Sequence, residues 1–215
     1  GTVFYDDVAI MPARPLNNVF GEVELSHGES VANGRYVFNS KMGGYNVDYS
    51  RPLHYLTAHL NSYRLVFFPG AQAVYRHSLP GVGQTAASIE VVIGYHSRGA
   101  CIVEAGKDGK TWLDVGMIDT KTTKRFNLPA ELFPADEVYV RLSSPGEGER
   151  GDSEPGSFQV LSYSYASTLE RDIGSMEGAT SFLIVRQTDE RLAVEVESVG
   201  GLLPGRENKV ALTLN

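Results

Sequence analysis

An all-β fold, an antiparallel β-sandwich or jelly roll, is what this sequence predicts, on three grounds. Apolar and polar residues alternate with period two in short runs, Gly, Pro, Asn and Asp separate those runs, and no segment sustains a helical period beyond a turn or two. In "RLAVEVES" (191–198), Leu192, Val194 and Val196 fall on one side of the strand and Glu195 and Glu197 on the other. One face of such a strand meets a core and the other meets water.

The remaining elements follow along the chain. "TVFYDDVAIM", "FGEVELS", "RYVFNS", "RLVFF" and "AVYRHSL" read as the early strands. "SIEVVIG" (88–94), "ACIVEA" (100–105), "TWLDVG" (111–116), "EVYVRLS" (137–143) and "SFQVLSYSY" (157–165) follow them, then "SFLIVRQ" (181–187), "RLAVEVES" and "NKVALTL" (208–214). "PAELFP" (129–134) allows one helical turn between prolines. "STLERDIGSMEG" allows a short helix capped by Ser167 and stopped by Gly174 and Gly178. The polar Gly/Pro stretch "SPGEGERGDSEPGS" (144–157) belongs on the surface. These features divide the chain into N-terminal strands or an extension (1–29), a β-sandwich (30–170) and C-terminal strands (171–215). The last group either adds to the sandwich or begins a further domain, since three strands bury too little to stand alone.

Composition narrows the function classes. The chain has 215 residues and a net charge of −7, with acidic residues scattered along it. That disfavours nucleic acid and anionic membranes, whose phosphates need clustered Lys and Arg. No apolar stretch approaches the ~20 residues that span a bilayer, so no membrane insertion is expected. The single cysteine, Cys101, sits in the apolar run "GACIVEA" and reads as a small core residue, not a nucleophile. Few cysteines in a domain of this size favour a bacterial source. The start, "GTVFYDD", without Met, reads as a fragment of a larger protein.

The segment "EAGKDGKTWLDV" (104–115) carries the most specific local signal. Asp108-Gly109 is a preferred pair for a tight hairpin, because Gly accepts positive φ and Asp bonds to its own backbone. "CIVEA" and "TWLDV" then pair as antiparallel neighbours, with the only tryptophan, Trp112, beside the bend. This hairpin resembles the "S-x-DG-x-x-W-x-x-V" hairpin of galactose-binding-like domains, the discoidin-type β-sandwiches. "FNLPAEL", "DEVYVRLSSP" and "GSFQVLSYSY" are similar to the connector and strands that follow it in that family. "AQAVYRHSLP" with "SIEVVIG" is similar to the strands that precede it in divergent members accompanying carbohydrate-active proteins. The resemblance covers roughly residues 30–166, and the C-terminal "RLAVEVESVGGLLPGRENKVALTLN" resembles the first strands of an immunoglobulin-like spacer. It implies a non-catalytic module, extracellular or on a cell surface. The module's partners are a glycan or the neighbouring domains of the same polypeptide, and no cofactor is implied. It also implies that Trp112 packs internally, as such hairpin tryptophans do.

For ligand contact the sequence points to 43–64, "GGYNVDYSRPLHYLTAHLNSYR", which reads as a long aromatic connector. Sugars lay their CH-rich faces on aromatic rings and pair their hydroxyls with Arg, Asn and Asp, which singles out Tyr45, Tyr49, Arg51, His54 and Tyr55. The plainer alternative is that these rings cover the end of the sheets and Arg51 pairs with Asp48. His54 and His59 are five apart, neither the helical nor the same-face strand spacing of a zinc pair, so no metal site is expected there. Glu147, Glu149, Asp152 and Glu154 lack the strict order of a calcium loop and read as a solvated segment, and Arg150-Gly151-Asp152 within it is too short a motif to carry weight. Glu22 and Glu24 in "GEVEL" have the spacing of a glycosidase pair but polar neighbours and no aromatic rim, which predicts an exposed face. No nucleophile elbow, phosphate loop or zinc-protease motif occurs. The expected function is a non-catalytic carbohydrate-binding or domain-positioning module. Its alternatives are a purely structural spacer and a jelly-roll glycoside hydrolase.

Overall fold

Alternation along "QAVYRHS" puts Ala73, Tyr75 and His77 on the buried side of one strand and Arg76 on the other, and the regular strands among the described residues follow that rule. The computed structural model describes residues 14–26, 28–42, 52–61, 63–146, 156–173, 178–187 and 192–202. Its strands are β1 (Arg14–Phe20), β2 (Val23–Ser26), β3 (Glu29–Ala32), β4 (Arg35–Lys41), β5 (Leu53–Leu56), β6 (His59–Asn61), β7 (Arg64–Phe67) and β8 (Gln72–Ser78). There follow β9 (Gln84–His96), β10 (Cys101–Gly106), β11 (Leu113–Ile118), β12 (Thr123–Asn127), β13 (Glu137–Ser143), β14 (Phe158–Leu169), β15 (Gly178–Gln187) and β16 (Leu192–Leu202).

Two antiparallel sheets form a β-sandwich. One has the order β11-β10-β13-β8-β5. The other runs β12-β9-β14-β4-β3, with β7 beside β14 and β6 beside β7. A four-stranded sheet, β16-β15-β1-β2, joins the strand at the start of the described chain to those at its end. Between the two layers lie Cys101, Val103 and Ala105 of β10 and Val138, Val140 and Leu142 of β13 on one side. Ile89, Val91 and Ile93 of β9 and Phe158, Val160, Tyr163 and Tyr165 of β14 lie on the other. Val160 and Tyr163 are three apart yet both buried, because β14 is irregular against β9 between Val160 and Ser162. An extra residue in one strand resets which side faces inward.

The layers meet through aromatic rings. Tyr75 stacks on Tyr163 at 4.0 Å between centroids, and His77 on Tyr165 at 3.7 Å. Such pairs add about 0.5–1.5 kcal/mol each to the burial of their area. The buried polar atoms are joined in a chain. Tyr36 donates its hydroxyl to Glu29 Oε1 at 2.7 Å, and Glu29 Oε2 accepts from the Ser26 N–H at 2.7 Å and its hydroxyl at 2.8 Å. His77 bridges the hydroxyls of Tyr36 and Tyr163, at 3.1 and 2.9 Å. Tyr165 donates to Gln84 Oε1 at 2.6 Å, and Gln84 Nε2 donates to the His77 carbonyl.

Several expectations change. No helix starts at Ser167: Ser167, Thr168 and Leu169 finish β14, where the β4 and β9 ladders on either side pair the backbone of Ser167 and Thr168. Paired ladders outweigh a helix too short to nucleate. "PAELFP" forms a single 3-10 turn at Ala130–Leu132. The stretch from 53 onward is not a connector, since it supplies β5, β6 and β7. The strands expected at 2–11 and 208–214 and the acidic residues 147–154 lie outside the described residues.

Candidate binding face

The outward positions of the five-stranded sheet bring charged and aromatic side chains into register. One row crosses all five strands: Asp114 on β11, Glu104 on β10, Arg141 on β13, Val74 on β8 and Tyr55 on β5. The next row holds Gly106, Tyr139 and Arg76. At β5 the pairing with β8 is irregular between Leu53 and Tyr55. Leu53 and Leu56 therefore both pack on the core, while His54 and Tyr55 are both exposed.

The hairpin loop between β10 and β11 folds back onto this face. Asp108 organises it: Oδ1 accepts from the N–H groups of Thr111 (2.7 Å) and Lys110 (2.9 Å), and Oδ2 from the Thr111 hydroxyl. Those N–H groups, Thr111 first, hold the Asp108 carboxyl below its ordinary range. Gly109, at φ 66°, lies so close to the Tyr139 ring that a Cβ there would be 3.1 Å from it, and a Cβ at Gly106 would strike the Thr111 carbonyl at 2.2 Å. Cys101's strand and the strand after Trp112 pair as the sequence predicts, the last partners being Ala105 and Leu113. The connection is a loop over 107–112, however, not a tight two-residue bend.

That loop takes Trp112 out of the interior. Trp112 is half-buried and absent from the core cluster, contrary to the expected internal packing. The Arg141 guanidinium lies 4.4 Å from its ring centroid. Arg141 is clamped in turn by Glu104, its Nε and Nη2 each donating at 2.7 Å to the two carboxylate oxygens. A two-point Arg–carboxylate pair fixes orientation as well as charge, so the cation holds the indole in place.

A second polar cluster lies alongside. Glu137 accepts from Arg76, from the Ser78 hydroxyl at 3.0 Å and from the Tyr139 hydroxyl at 3.3 Å. The Arg76 hydrogen bond is the leading cause that holds the Glu137 carboxyl below its ordinary range. Burial, then the Glu137 charge, pushes the Tyr139 phenol up. The His54 ring meets the Tyr139 ring edge-on at 5.8 Å.

Of the residues singled out from sequence, Tyr45, Tyr49 and Arg51 lie outside the described residues. His54 and Tyr55 stand on the edge strand β5, with Tyr55 49 % exposed. His59 belongs to the other sheet, its ring against Phe68 at 5.4 Å. Among the described residues no group of three or more His, Cys, Asp or Glu is placed to hold a metal, and no helix is long and apolar enough to cross a membrane. Glu22 lies in the turn before β2 and Glu24 on β2, both exposed. Arg76, Glu104, Glu137, Tyr139 and Arg141 were not singled out from sequence. Alternation in "EVYVRLS" puts Glu137, Tyr139 and Arg141 on one face, but only cross-strand register shows what they meet.

No protein-family model matches the chain, and a search of curated proteins finds no match.

Proposed function

We propose that the protein is a non-catalytic carbohydrate-binding module of a larger extracytoplasmic protein, and that glycan binds on the outer face of the five-stranded sheet. The observation that carries this reading is Trp112, partly exposed on that face, with its ring held by the Arg141–Glu104 pair. Aromatic surface beside fixed hydrogen-bonding groups suits a ligand with apolar CH faces and hydroxyl rims. Tyr55 and His54 offer further ring surface at the β5 edge. The sandwich is compatible with a jelly roll, and the pairing of Cys101's strand with the strand after Trp112 supports the finer reading of a galactose-binding-like domain. Glu22 and Glu24, both in water, lack the desolvation a general acid needs, which weighs against the hydrolase alternative.

The test is a glycan array followed by affinity electrophoresis of the retained polysaccharides. Trp112→Ala and Arg141→Met are expected to lose retention while keeping the wild-type melting temperature within a few degrees. Retention unaffected by both substitutions would contradict this site.

A second reading, a domain-positioning spacer, has one observation in its favour. Tyr55, Leu60 and Tyr63, all on or beside the short strands β5 and β6, are 49, 50 and 41 % exposed, apolar surface of the kind a neighbouring domain covers.

A further inference from the structure

We infer that β12 is a docking edge, and that it takes an extended, acidic segment of a partner protein as an added strand. Among the described residues β12 is the outermost strand of the larger sandwich sheet and pairs only with β9. The Ile93 N–H donates to the Thr122 carbonyl at 2.8 Å and the Leu128 N–H to the Ala87 carbonyl at 2.9 Å. In an antiparallel ladder such bonds recur at every second residue, so Lys124 and Phe126 also turn their backbone groups to β9. Thr123, Arg125 and Asn127 turn theirs away, to the free edge. Among the described residues one contact reaches those groups, the Thr122 hydroxyl at 3.4 Å from the Thr123 carbonyl. All three residues are exposed. A row of free N–H and C=O groups is a template for a further strand.

The other described edges of the two sandwich sheets are short or broken. β11 is irregular against β10 opposite Val103 and Glu104, and the Lys124 ammonium occupies its Met117 carbonyl at 2.9 Å. β5 is irregular between Leu53 and Tyr55, and β3 and β6 have four and three residues. β12 pairs regularly over all five of its residues. Charged side chains often block such an edge, but neither of its two crosses this one. Lys124 reaches to β11 and lies over Phe126, and Arg125 reaches inward across the sheet to Glu90 on β9.

The charges choose the occupant. β12 holds Lys124 and Arg125 and no acidic residue, and Lys121 precedes it. The acids around it stand off the seam. Asp119 lies in the preceding turn, Glu131 in the 3-10 turn that follows, and Asp114 faces outward from the other sheet. Glu90 is one strand inward and bonded to Arg125. An added strand lies directly against Lys124 and Arg125, where opposite charges stabilise and like charges repel. A second copy of this edge would put two Lys124 and two Arg125 into one seam with no carboxylate on either strand.

The test is NMR titration and amide hydrogen exchange of the 15N-labelled protein with two capped octapeptides, one alternating Thr and Glu, the other Thr and Lys. The Glu peptide is expected to bind about fivefold or more tightly than the Lys peptide. It is expected to slow exchange at the Thr123, Arg125 and Asn127 amides and to leave Lys124 and Phe126, already in the ladder, unchanged. Thr123→Pro removes an edge N–H at the first residue of the strand, where proline is tolerated, and is expected to weaken the Glu peptide severalfold. Lys124→Glu is expected to abolish the preference between the peptides. Equal binding of both peptides by the wild type, no binding of either at millimolar concentration, or protection without this alternation overturns the inference. So does self-association in sedimentation that protects the same three amides, which would make the occupant a second copy.

Discussion

Tyr36 and His77 share a hydrogen bond of 3.1 Å between the phenol oxygen and Nδ1, and it fixes where the proton sits. The one hydroxyl proton of Tyr36 is donated to Glu29, so the phenol oxygen accepts from His77. For a neutral imidazole this places the hydrogen on Nδ1 and leaves Nε2 to accept from the Tyr163 hydroxyl. The chain runs in one direction: Tyr163 to His77 to Tyr36 to Glu29. Proton-detected 15N NMR of the imidazole is expected to show the Nδ1–H tautomer. Tyr36→Phe removes one hydrogen bond from the His77 ring and one from the Glu29 carboxylate, and is expected to cost about 1–3 kcal/mol in urea unfolding. An Nε2–H tautomer, or a Phe variant as stable as the wild type, would contradict this directionality.

Cys101 is buried between the two sheets, and burial pushes its thiol from 9.0 up to about 12. Because the folded value lies above the unfolded one, its contribution to stability is whole below about pH 9. That contribution is lost as pH rises towards 12. The thiol is expected to ignore a disulfide reagent at pH 8 until the protein unfolds, since only the thiolate reacts. Cys101→Ala is expected to flatten the fall in stability between pH 9 and 10. Rapid labelling of the native protein would show that β10 opens locally.

Gly109 holds the hairpin loop against Tyr139 in a left-handed conformation. Gly109→Ala meets both the conformational cost, about 1–2 kcal/mol, and a ring that must give way. The expected outcome is a loss of stability of that order together with weaker glycan binding, because the same loop positions Trp112. Unchanged melting and binding would mean that the loop does not need this contact.

The strands whose alternation is unbroken were legible from sequence. "EVYVRLS" became β13 residue for residue, with Val138, Val140 and Leu142 inward. The strand "LHYL" was not, because the irregular pairing at β5 turns Leu53 and Leu56 inward at a spacing of three, where period two would have one of them outward. His77 follows Tyr75 on the buried side of β8, so sequence alone shows an ordinary inward position. Its partners come from β4 and β14, far along the chain. Trp112 was placed inside because the hairpins this segment resembles pack their tryptophan internally. Asp108 instead builds a wider loop that returns onto the outer face. Local pattern gives a strand's two faces; which side chains meet across strands depends on register, and register here is reset by bulges.

The outer face of the five-stranded sheet is the central claim, and backbone NMR tests it most directly. The 15N-labelled protein would be titrated with whichever glycan the array retains. The prediction is that the shifted amides cluster at 54–55, 104–114 and 137–141, with those of β9 and β12 on the opposite sheet unmoved. Shifts confined to loops at the ends of the sandwich, or to the opposite sheet, would contradict it.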